Sequence, residues 1–75
     1  MNDYKCIVTL KNGGHKILRL TKRMVAHIVS EFRKMQQSIF SELVCIKIDA
    51  YHFLTLNDVR EMKFYEDGEE YLTIA

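Results

Sequence analysis

The sequence predicts an α+β domain: a two-layer sandwich in which an antiparallel sheet of four to five strands carries one amphipathic helix on one face. The predicted order is ββα followed by two to three strands. Three observations lead there. An Asn12-Gly13-Gly14 cluster separates two β-rich runs, apolar residues recur at helical spacing after Thr21, and the second half returns to short alternating segments divided by turn residues. At 75 residues the chain is one domain, 1–75, because two independent cores do not fit this length.

Tyr4-Lys5-Cys6-Ile7-Val8-Thr9-Leu10 and His15-Lys16-Ile17-Leu18-Arg19-Leu20 form the first hairpin. Asn and Gly between them tolerate the positive φ that tight turns require. Thr21 then stands at an N-cap position, with Met24, Val25, Ile28, Val29, Phe32 and Met35 behind it, so a helix is expected from Lys22 to about Gln37. Its outer face carries Lys22, Arg23, His27, Ser30, Glu31, Arg33 and Lys34. Beyond it, Ile39, Phe40 and Leu43 are expected to close over one edge of the core.

Val44, Ile46 and Ile48 alternate with Cys45, Lys47 and Asp49, the period of a strand with one buried face. Tyr51–Leu56 reads as the next strand or as a bent continuation of this one. Asn57-Asp58 turns the chain into Val59–Tyr65, which fits either a short helical turn or a strand. Glu66-Asp67-Gly68-Glu69 closes a second hairpin, pairing Met62–Tyr65 with Tyr71–Ile74. One helix covers one sheet face. Either Tyr4/Cys6/Val8/Leu10 or Lys5/Ile7/Thr9 therefore points away from it, and the apolar surplus predicts a homodimer or a partner against the sheet.

The net charge of +1 conceals an asymmetry. Residues 1–35 hold eight Lys/Arg against two carboxylates, a net +6; residues 36–75 hold three against eight, a net −5. Such a distribution bears on partners and encounter rates more than on fold. The acidic half concentrates Asp58, Glu61, Glu66, Asp67, Glu69 and Glu70, with Tyr65 and Tyr71 beside the turn, as a candidate edge for a basic surface on another protein. The basic half offers Lys16, Arg19, Lys22, Arg23, Arg33 and Lys34 as the alternative, a phosphate-neutralising face for nucleic acid. Against the latter stand a pI near 7.8 and the lack of an aromatic-interleaved basic motif on the hairpin.

Chemistry finds less support. Cys6, His15, Cys45 and His52 lack the short ligand spacing that preorganises a zinc site, and nothing in the sequence forces a Cys–His pair, or Asp49 with Asp58 or Glu61, together. No cofactor, metal or enzymatic activity is expected. The cysteines are expected to be free thiols in a cytoplasmic chain, since Met1-Asn2-Asp3-Tyr4-Lys5 is not a signal peptide and no apolar run spans a bilayer.

The chain lacks Pro and Trp, and joins a Lys11-Asn12-Gly13-Gly14 hairpin and a single helix to a closing segment from Phe53 to Phe64 (Phe-Leu-Thr-Leu-Asn-Asp-Val-Arg-Glu-Met-Lys-Phe). In this it resembles small accessory proteins of phages and other mobile elements of Gram-positive bacteria. The resemblance implies a protein that binds and blocks a host enzyme or defence system, sometimes by offering carboxylates where the target expects phosphates; it assigns no residue. The expectation from the residues is a non-enzymatic interaction protein, acting through the acidic edge or an open sheet face.

Overall fold

The computed structural model describes residues 2–39 and 42–75. Strands β1 (Tyr4–Leu10) and β2 (His15–Leu20) form the first hairpin, and Gly13 in its turn adopts φ 91°. The Asn12 side chain accepts from the Gly14 amide at 2.8 Å. Helix α1 runs Lys22–Gln37, and the Thr21 hydroxyl accepts from the Met24 amide at 3.2 Å, satisfying one of the free donors of the first turn. There follow β3 (Cys45–Lys47), β4 (Phe53–Thr55), a 3-10 turn (Leu56–Asp58), β5 (Val59–Glu66) and β6 (Glu69–Ile74).

The α+β class is as the sequence predicts, with a four-stranded antiparallel sheet ordered β2-β1-β5-β6. Among the described residues, however, four strands follow the helix, and not two or three. β3 and β4 pair with each other in a separate ribbon, Ile46 opposite Leu54. The cause is local: the Asp49 carboxylate accepts from the Tyr51 and His52 amides at 2.8 and 2.9 Å and turns the chain back at once. Asn57 then fixes the ribbon's base, accepting from the Val44 amide and donating to the Glu42 carbonyl, both at 2.8 Å.

Alternation along β1 decides which face is covered. Tyr4, Cys6 and Val8 are buried and Lys5, Ile7 and Thr9 lie on the opposite, uncovered side. Val25, Ile28 and Phe32 of α1 meet Cys6, Val8, Met62 and Phe64 in one cluster, which Ile46, Leu54 and Leu56 complete from the ribbon side. The uncovered face holds the adjacent pair Ile7 and Ile17 among Lys5, Arg19, Lys63 and Tyr65, so its apolar surplus is smaller than the sequence suggests. Ile39 and Leu43 do not close over the core: they are 90% and 79% exposed. Phe40 lies outside the described residues.

Phe64→Ala should lower unfolding free energy by about 3–5 kcal/mol, the range for emptying a buried aromatic site, whereas Ile39→Ala should stay within about 0.5 kcal/mol; urea titration measures both. Burial pushes the Cys6 thiol up to about 12, and Cys45 is exposed. A maleimide at neutral pH should therefore label Cys45 promptly and Cys6 only after denaturation.

Candidate functional site

The β5–β6 hairpin turns through Asp67 (φ 50°) and Gly68 (φ 86°), two positive-φ residues that match the twist of the flanking strands. Its acidic residues divide into two kinds. Glu66 and Asp67 are engaged within the molecule. The Glu66 carboxylate accepts from the Tyr4 hydroxyl at 2.5 Å and the Asn2 amide at 2.8 Å, and the Asp67 side chain accepts from the Asp3 backbone amide at 2.8 Å. The Asp67 amide returns a bond to the Asp3 carbonyl at 2.8 Å. Glu69 and Glu70 are exposed, Glu70 accepting from the Thr73 hydroxyl at 2.8 Å.

These bonds set the local electrostatics. The Tyr4 and Asn2 hydrogen bonds, with a smaller contribution from the charge of Lys22, hold the Glu66 carboxyl below its ordinary range. Its bond to Glu66 raises the Tyr4 phenol, while burial, then the Glu66 charge, raises Tyr71. Tyr71 meets the Tyr4 ring edge to face, centroids 6.4 Å apart at 71°. Between β6 and α1 lies an open groove of about 520 Å³, floored by Val25, Val29 and Leu72 and bounded by Tyr4, Tyr71 and Glu66. Lys22 stands at its rim. A bulge between Phe64 and Tyr65 shifts the β5–β6 register, leaving Tyr71 as the extra residue.

Of the residues named from the sequence for the acidic edge, Glu66, Asp67, Glu69, Glu70 and the aromatic Tyr71 thus converge on one corner. Asp58 is not with them: it sits at the far end of β5, roughly 25 Å of extended chain away, where its carbonyl accepts from the Lys11 amide at 2.8 Å. Glu61 and Tyr65 face the uncovered side. There Lys63 lies 3.9 Å from Glu61 and the Lys5 ammonium lies 5.5 Å from the Tyr65 ring centre. A strand sends sequence neighbours to opposite faces, which divides a run that reads as continuous.

The basic residues divide likewise. Lys22, Arg23, Arg33 and Lys34 are exposed on α1, Lys34 pairing with Glu31 at 3.6 Å. Arg19 shares a row with Lys5 on the uncovered face, while Lys16, opposite Val8, points to the helix side beside the ribbon. Asn2 and Tyr4 at the corner have no sequence signal, since the β1–β5 pairing delivers them from some sixty residues away.

For chemistry, Cys6 is sealed in the core and His52 is held 2.8 Å from Asp49, whose carboxyl is lowered mainly by the Tyr51 amide. Among the described residues no group of three or more His, Cys, Asp or Glu is placed to hold a metal ion, and no helix is long and apolar enough to cross a membrane.

Because Glu66 is depressed on folding, its stabilising contribution is complete above the ordinary glutamate pKa of about 4.3 and is lost as pH falls through the folded value. The urea midpoint should therefore drop on acidification below that point, and Glu66→Gln should remove part of the drop while Asp49→Asn removes another. A Glu66→Gln protein that kept the whole acid dependence would contradict the assignment. No known protein family, curated protein or solved structure matches this chain.

Proposed function

We propose that the protein is a non-enzymatic interaction protein that captures another protein at the β5–β6 corner and modulates it by steric blockade. The observation that supports this is the meeting of charge and apolar surface at a sheet edge. Residues 64–75 include four carboxylates and no Lys, Arg or His, and β6, which carries two of them, borders the groove floored by Val25, Val29 and Leu72. An edge strand beside an apolar groove suits an extended segment, whose backbone adds to the sheet while alternate side chains enter the groove. The surrounding carboxylates favour a segment bearing Lys or Arg and accelerate its encounter. The likeness to mobile-element accessory proteins makes a host protein the natural target.

A second reading has its own observation: Lys22, Arg23, Arg33 and Lys34 share the exposed side of α1, a surface suited to phosphates.

One capture experiment separates the two. Tagged protein is exposed to nuclease-treated and untreated host lysate, beside the double variant Glu69→Lys/Glu70→Lys, which leaves the internally bonded Glu66 and Asp67 in place. Capture of a stoichiometric, nuclease-resistant protein is expected, with about tenfold less retained by the variant and an unchanged circular dichroism spectrum. Equal capture by the variant would remove this corner from consideration. Nuclease-sensitive material alone, lost on Arg23→Glu/Arg33→Glu, would transfer the function to the helix.

A further inference from the structure

The charge asymmetry of the sequence becomes an asymmetry between the two edges of one sheet. β2 lies at one edge and carries His15, Lys16 and Arg19 with no carboxylate; β6 lies at the other and carries Glu69 and Glu70 with no base. Each is six residues long. The two run in opposite directions, because each of the three pairings between them is antiparallel. A second copy set beside the first in the same orientation therefore brings its β2 antiparallel to β6.

The cross-strand rows show what would then meet. One row on the uncovered face reads Arg19, Lys5, Tyr65, Glu70; the next reads Ile17, Ile7, Lys63, Thr73. On the helix side a row reads Leu18, Cys6, Phe64, Leu72. Continued into a neighbouring copy with Tyr71 kept as the bulged residue, Glu70 falls beside Arg19, Thr73 beside Ile17, and Leu72 beside Leu18. These are the opposite-charge and apolar cross-strand pairs that stabilise sheets. They also cover Ile17, 67% exposed, and extend the floor of the groove next to Tyr71, 48% exposed.

We propose that copies of this chain assemble edge to edge, β2 of one copy adding antiparallel to β6 of the next, with Arg19 and Glu70 forming the pair that selects the contact. Charged edges ordinarily guard against strand addition. Here like charges repel β2 from β2 and β6 from β6, while the mixed contact is attractive. The proposal concerns a second copy and does not rest on capture of a foreign protein. A foreign segment on β6 would compete with assembly.

Sedimentation velocity of the purified full chain over a concentration series tests it. The weight-average coefficient should rise with concentration beyond a dimer, because a contact between unlike edges of a sheet twisting by about 20–25° per strand does not close on two copies. It should fall in high salt. Arg19→Glu and Glu70→Arg should each raise the apparent dissociation constant about tenfold. An equimolar mixture of the two variants should restore association, as should both substitutions in one chain. A wild-type protein that stays monomeric at all concentrations, or an Arg19→Glu variant that associates as tightly as the wild type, would overturn the proposal. So would a mixture of folded variants that fails to associate.

Discussion

The antiparallel pairing of β1 with β5 is the constraint on which the rest depends. It joins a hairpin from the first twenty residues to one from the last seventeen, and it makes one sheet from two halves that are each too small to bury a core. Every later feature uses that junction. Cys6 meets Phe64 and Val8 meets Met62 across it, providing the floor on which α1 packs. At its end, Tyr4, Asn2 and Asp3 reach Glu66 and Asp67 and convert two acidic residues of an exposed turn into anchored acceptors. Those bonds set the groove's shape as well as its charge, because Tyr4 also supplies the ring against which Tyr71 leans.

The same junction fixes where charge appears. With the basic hairpin on one side and the acidic hairpin on the other, a sequence of nearly balanced composition yields a sheet with edges of opposite sign. On the middle of the uncovered face Lys63 is paired with Glu61, and the Lys5 ammonium lies over the Tyr65 ring with its charge retained. Such exposed pairs contribute little to stability. The carboxylates Glu69 and Glu70 remain at the β6 margin and Arg19 at the β2 margin, where an incoming chain would meet them.

Local signals were legible wherever the physics is local. Thr21 and the apolar spacing behind it gave the helix its observed limits, and both hairpins followed from Asn12-Gly13-Gly14 and Asp67-Gly68, where positive φ is required. The ribbon was less legible: alternation identifies a strand with one buried face, yet says nothing about which neighbour it pairs with, and the Asp49 turn decided that in favour of β4. The acidic corner was half legible. Glu69, Glu70 and Tyr71 were apparent from clustering, while Asp58 was separated by the length of β5 and Glu61 by its alternation. Asn2 and Tyr4 had no signal because nothing short of the β1–β5 register brings them there.

Placing β1 at the centre of the sheet also has a kinetic consequence. Its second neighbour, β5, begins at Val59, so the chain must close a long loop before that contact forms. Closure entropy grows only slowly with loop length, but contacts of such separation slow folding. During vectorial synthesis β1, β2 and α1 are made before β5, so Cys6 and Val8 lack their cross-strand partners Phe64 and Met62 until that later segment has emerged. Until then the β5 side of β1 is an unpaired strand edge next to apolar surface, the kind of surface that favours adhesion between incomplete chains.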